Sequence, residues 1–228
     1  MLLVVAAVAY YYAGGYAAKV SAMKTEAVSL VSHSSKDTFR KNQTSIAYDV
    51  NGTTLSVLKG EKDVYYIEYE DIPVYIKQAI ISTEDKRFYK HKGIDYRGIM
   101  RAIIAMIQDG EVTQGGSTIT QQLARTVFLS NEKTWERKIE EMYIAVELEK
   151  KYTKEDILEF YLNNVYFANG YYGIEAAAQG YFGTDVSHLS LSQMIYLCAI
   201  PNNPTLYNPL TNPDKTEARR DRILKSML

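Results

Sequence analysis

The chain has 228 residues, with 26 Lys and Arg against 27 Asp and Glu and a formal net charge of −1. That length can bury a core without staples, and a composition 46% hydrophobic and 23% charged excludes a disordered chain. Near-neutral charge argues against a nucleic-acid binder, and a single cysteine, Cys198, excludes an internal disulfide framework or a paired-thiolate zinc site. Tyrosine outnumbers phenylalanine 20 to 6, which suits a boundary between apolar and wet surroundings.

Residues 1–18 carry no charged side chain, and the first charge is Lys19. As a helix this stretch would span roughly 27 Å, close to a bilayer's hydrocarbon core, so a transmembrane anchor is expected there. A signal peptide or a buried helix is the alternative, but no basic residue precedes Leu2. Residues 19–44 are polar and weakly periodic and read as a stalk. Two β-rich runs then flank Asn51-Gly52, a hairpin signal, and strand-like Val64, Tyr65, Tyr66 and Ile67 follow.

From Pro73 onward the pattern is helical. Ile99, Ile103, Ile104, Met106 and Ile107 give an apolar helix stopped by Gly110. Ser117, after Gly115-Gly116, is expected to cap a helix through Phe128. Trp135, Ile139, Met142 and Val146 fall on one face of the next helix, with Glu141 off that stripe. Thr153…Asp156 and Ser190…Gln193 resemble capping boxes, and Asn212-Pro213 opens a last helix.

Several clusters could carry chemistry. Glu84-Asp85 could complement a helix end or pair with Lys86 and Arg87, or could supply a carboxylate base or acid. The Gly115-Gly116-Ser117-Thr118 turn could present free N–H groups to an anion such as phosphate, or could be a plain capped turn. Arg137, Lys138 and Glu141 could form a solvated salt-bridge face or, with Arg125 and Lys133, a set of cations for a diphosphate. No Asp-x-Asp grip and no His-x-x-x-His pair occurs.

Five segments in order, EDKRFYKHKG (84–93), GGSTITQQ (115–122), RKIEE (137–141), KEDILEFYLN (154–163) and RRDRIL (219–224), resemble glycosyltransferase family 51, the peptidoglycan glycosyltransferases. The resemblance implies a mainly α, lysozyme-like fold with a large lobe and a smaller membrane-associated jaw. It would be preceded by a transmembrane helix and a short β-hairpin linker like that of class A penicillin-binding proteins. The implied division is 1–18 anchor, 19–72 stalk and hairpin linker, and 73–228 transferase domain. The implied reaction polymerises lipid II into β-1,4-linked glycan with inversion at the MurNAc anomeric carbon. By motif position Glu84 matches the general base and Glu141 the second catalytic glutamate. Asp85, Phe88, His91, Ser117, Thr118, Gln121, Gln122, Arg125, Lys133, Arg137, Lys138 and Asn163 match substrate-binding positions. Arg219 and Arg220 match the fifth segment and read as structural.

A divalent cation (Mg or Mn) is compatible with a diphosphate and two glutamates, although no ligand set is visible. The implied partners are lipid II, the growing lipid-linked strand, membrane lipid and other cell-wall synthesis proteins, with no nucleic acid. The implied location is a single-pass bacterial membrane protein with its catalytic domain outside the cytoplasm. The competing readings are a lysozyme-like hydrolase or lytic transglycosylase, and a non-catalytic anchored scaffold.

Overall fold

A computed structural model describes residues 12, 14–40, 45–51, 54–58, 65–109, 115–130 and 132–227. Its elements in chain order are α1 (Tyr16–His33), β1 (Ser45–Tyr48), β2 (Thr54–Leu58), α2 (Val74–Glu84) and α3 (Tyr96–Asp109). These are followed by α4 (Ile119–Phe128), α5 (Trp135–Lys151), α6 (Lys154–Asn164), α7 (Ile174–Phe182), α8 (Leu191–Cys198) and α9 (Pro213–Met227).

The core is built around α6. Every residue from Ile157 to Asn163 is buried, so this helix is enclosed on all sides. Thr153 and Asp156 form the expected capping box at its start, and Ser190 and Gln193 form the second at α8. α4 lies between α5 and α6, while α2 packs against α8 and α9. Phe39 stacks on Phe160 with ring centroids 3.9 Å apart, joining the segment after α1 to the core. Cys198 is buried in α8, where burial pushes its thiol up, as expected of a packing residue.

β1 and β2 pair antiparallel, Ser45 opposite Leu58 and Tyr48 opposite Thr54, with an irregularity after Ala47. Gly52 of the expected turn lies outside the described residues. The strand expected at 64–67 is not formed over its described part, residues 65–67. Instead the Asn163 side chain takes the place of a neighbouring strand. Its Oδ1 accepts from the Ile67 N–H and its Nδ2 donates to the Ile67 carbonyl, each at 2.8 Å. Glu159 holds the same segment by accepting from Tyr66 Oη and from the Tyr69 N–H.

The anchor expected over 1–18 falls mostly outside the described residues, and no helix among the described residues is long and apolar enough to cross a membrane. Residues read as the start of a stalk belong to α1, which packs along α5 and buries Met23, Ala27 and Val31 at spacings of four. The two helices run in the same direction. At their starts Tyr16 meets Trp135 (5.9 Å between centroids) and Lys19 pairs with Glu136 at 2.8 Å. At their ends Lys151 donates to the carbonyls of Val31 and Ser32 at 2.9 Å and to that of Ser34, satisfying the open end of α1. Lys151→Ala should lower stability by about 1–2 kcal/mol in chemical denaturation. It should also speed tryptic cleavage at Lys24, because α1 would separate from α5 more often.

Candidate active site

Glu84 is the last residue of α2, facing a polar cleft of about 570 Å³. Its side chain is 4% exposed. Gln122 on α4 donates to Glu84 Oε2 at 3.1 Å, and Arg219 on α9 approaches Oε1 at 3.3 Å. The Gln122 amide is oriented by Tyr161, whose hydroxyl donates to its Oε1 at 3.2 Å. Burial raises the Glu84 carboxyl above its ordinary value, and Gln122, Arg219 and Asn202 pull it partly back. The carbonyl end of α2 acts in the same direction as burial.

Asp85 also lines the cleft, but its carboxylate is engaged within the fold. Its Oδ2 accepts from the Ile119 N–H at 3.1 Å and lies 2.8 Å from His91 Nε2. The start of α4 is thereby closed. Thr118, not Ser117, is the N-cap: its Oγ1 accepts from Gln121 N–H, and Gln121 Oε1 accepts from Thr118 N–H. Part of the expected set of N–H donors is already engaged, since those of Thr118, Ile119 and Gln121 go to Gln121, Asp85 and Thr118, while Gly115, Gly116 and Ser117 line the cleft. The anion at this helix start is the protein's own Asp85.

Ser117 lines the cleft and accepts from Lys138 at 2.8 Å, which joins the Glu84 cleft to the third segment. Lys138 and Arg137 both donate to Glu141. Glu141 is wholly buried, so the solvated salt-bridge face is overturned. The buried face of α5 is Glu141, Ile144, Ala145 and Leu148, whereas Trp135 is exposed and Ile139, Met142 and Val146 are half-buried. The reason is that α5 has α4 on one side and α1 on another, so its most apolar stripe is not its deepest one.

Four of the expected substrate contacts are buried and do not line the cleft. Phe88 is fully buried beneath the Lys154 ammonium, 4.3 Å from its ring centroid. His91 is buried between Asp85 and Glu149. Gln121 is fully buried as the capping partner, and Asn163 is fully buried against Ile67. Thr118 lines the cleft, although its hydroxyl also donates to the Gly93 carbonyl at 2.7 Å. Arg125 is half-buried on α4, and Lys133 is exposed just before α5. Sequence reasoning missed Asn202 and undervalued Arg219; both line the cleft, and the Arg219 contact spans 135 residues of chain, which no local pattern signals.

Among the described residues no three His, Cys, Asp or Glu side chains gather as ligands, and both Glu141 oxygens already face cationic donors. The cleft is flanked by α3, whose Tyr96, Met100, Ile103, Ile104 and Ile107 are exposed between 41% and 74%. Arg97 and Arg101 are exposed on the same helix, and Arg101 also lines the cleft.

The sequence profile of the Transglycosylase family matches residues 51–228. Penicillin-binding protein 4 of Bacillus subtilis (strain 168) is 44% identical over 186 residues, covering 81% of this chain and 30% of that protein. Penicillin-binding protein 1A/1B of the same organism is 45% identical over 184 residues, 80% of this chain and 20% of that protein. Penicillin-binding protein 1A of Aquifex aeolicus (strain VF5) is 44% identical over 186 residues, 82% and 26% respectively. The chain thus spans less than a third of the length of each of these relatives.

Proposed function

The chain belongs to the transglycosylase family, and from that premise we propose that it polymerises lipid II into β-1,4-linked glycan. The observation that carries this reading is a buried carboxylate, Glu84, with a raised proton affinity, in one cleft with Ser117, which contacts the Lys138–Glu141–Arg137 cluster. In this reading the acceptor's GlcNAc 4-hydroxyl attacks the donor's MurNAc C1. The new C–O bond forms as the bond to the diphosphate oxygen breaks, with inversion from α to β. The hydroxyl proton passes to Glu84, and polyprenyl diphosphate leaves carrying the electron pair.

A buried carboxylate is more basic than a free glutamate, which suits removal of a proton from a sugar hydroxyl only as the bond forms. The leaving diphosphate gathers negative charge, and Lys138 and Arg137, with Arg125 and Lys133 further out, are the cations that would oppose it. Glu141 acts by holding Lys138 and Arg137 in place. Lys138→Ala should lower the turnover of lipid II per folded molecule by about 10²-fold, and it should also lower the melting temperature, because it leaves the buried Glu141 carboxylate with Arg137 alone. Loss of stability with activity per folded molecule unchanged would make Lys138 structural.

The apolar, basic outer face of α3 is the part we assign to the lipid boundary, with the catalytic domain on the extracytoplasmic side of a bacterial membrane and residues 1–18 as its anchor. Anchoring confines enzyme and lipid-linked substrate to one surface and raises their effective concentration. Incubation with labelled lipid II tests the proposal. Long glycan chains support it; absence of product together with cleavage of intact sacculi would replace it with a hydrolase, and neither activity with a scaffold.

A further inference from the structure

Glu149 and Lys154 break two rules at once. Glu149 lies in the last turn of α5 and Lys154 is the first residue of α6, so each charge faces the unfavourable end of its helix. Both are also taken from water, with side chains 4% and 18% exposed. Burial lowers the affinity of Lys154 for its proton, and Glu149 offsets that only in part. The pair is held at 2.6 Å, with Thr120 Oγ1 donating to the same carboxylate at 2.6 Å. Neither residue lines the cleft. Such an arrangement is costly unless it fixes something else.

What it faces is His91. Glu149 Oε1 lies 3.6 Å from His91 Nδ1, a buried ring nitrogen with no hydrogen-bond partner of its own. On its other side the same ring meets Asp85, which follows Glu84 directly in the chain and is tied to Ile119 at the start of α4. Thr120, held by Glu149, and Gln122, which donates to Glu84, belong to that same first turn of α4. Glu149 therefore reaches Glu84 from both sides, through His91 and Asp85 and through Thr120 and Gln122.

We propose that Glu149 is a positioning residue, which sets the Glu84–Asp85 corner through the buried His91 ring while touching no substrate. This rests on the lipid II reading above. The test is a double-mutant cycle on the full chain with labelled lipid II, in which kcat and KM are measured for Glu149→Gln, His91→Gln and the pair. Each single variant should lose about tenfold in kcat with KM within about twofold, and the double variant should lose no more than Glu149→Gln alone, which interrupts both routes. Additive losses, or an unchanged kcat, would overturn the proposal.

Glu149→Gln leaves Lys154 buried and unpaired, so the isolated change can fail to fold. Glu149→Gln combined with Lys154→Met removes both charges and carries the test in that case. A low kcat at restored melting temperature supports positioning, whereas full activity would reduce Glu149 to a stability role. The ring ¹⁵N resonances of His91 give a readout independent of turnover and should move on Glu149→Gln. If the wild type makes no glycan, the functional reading fails, and unmoved His91 resonances would separately defeat the proposal.

Discussion

Glu84→Gln should lower glycan polymerisation by about 10²–10⁴-fold, with the melting temperature unchanged or raised. The substitution keeps the shape of the side chain and an oxygen for Gln122 or Arg219, so packing at the end of α2 survives. What disappears is the group that accepts the proton. The pH profile makes the result specific. Because burial raises the Glu84 carboxyl above 4.5, the acid limb of kcat/KM should lie above the ordinary glutamate range, and the residual rate of the variant should lack that limb.

Stability should respond with the opposite sign. The folded state binds this proton more tightly than the unfolded chain, so wild-type stability falls as pH rises from 4.5 through the raised value. Glu84→Gln should remove that decline, as read from denaturation midpoints across the range. Unchanged turnover in the variant would remove Glu84 from the mechanism.

Gly93→Ala should cost about 3 kcal/mol or more, lowering the melting temperature by roughly 6–12 °C. Gly93 has φ +90, and a Cβ there would lie 2.7 Å from the Ala145 carbonyl carbon and oxygen and 2.8 Å from the Val146 nitrogen. Those are backbone atoms of α5 and cannot rotate aside. Two penalties combine, a left-handed backbone and a collision. Gly170→Ala separates them: Gly170 has φ +86 with open space around it, so it should lose only about 1 kcal/mol. Gly93→Ala should also disturb the cleft, since Thr118 is bonded to the Gly93 carbonyl. Equal losses at the two glycines would show that close approach to α5 is not what Gly93 provides.

Much of the fold was legible because its signals are local. The caps at Thr153 and Ser190 and the start at Pro213 need only neighbours three residues away. The faces of helices were harder. Spacing alone left Glu141 open between a solvated face and a site, because its stripe is not the most apolar, yet its two cations neutralise it and let it be buried. His91 and Asn163 carry polar side chains that look available for ligands, but His91 meets Asp85 inside the fold and Asn163 meets Ile67 across 96 residues. Arg219 was discounted for the same reason in reverse. The first, second, third and fifth motif segments meet around the Glu84 cleft, while which of their residues wall it and which brace it depended on packing that no spacing rule encodes.

The parallel course of α1 and α5 carries a mechanical consequence. Tyr16 and Lys19 stand level with Trp135 and Glu136, immediately before Arg137 and Lys138. At its far end α1 is riveted by Lys151, so the helix is a strut rather than a tether. If the segment before Tyr16 is held at a surface, the height of the two cations above that surface is fixed to within about a helical turn, ~5 Å. A tilt of the strut becomes an equal tilt of the cations. Under the lipid II reading proposed above, the donor diphosphate lies at a set depth, and a gauge of this kind would meet it there without searching.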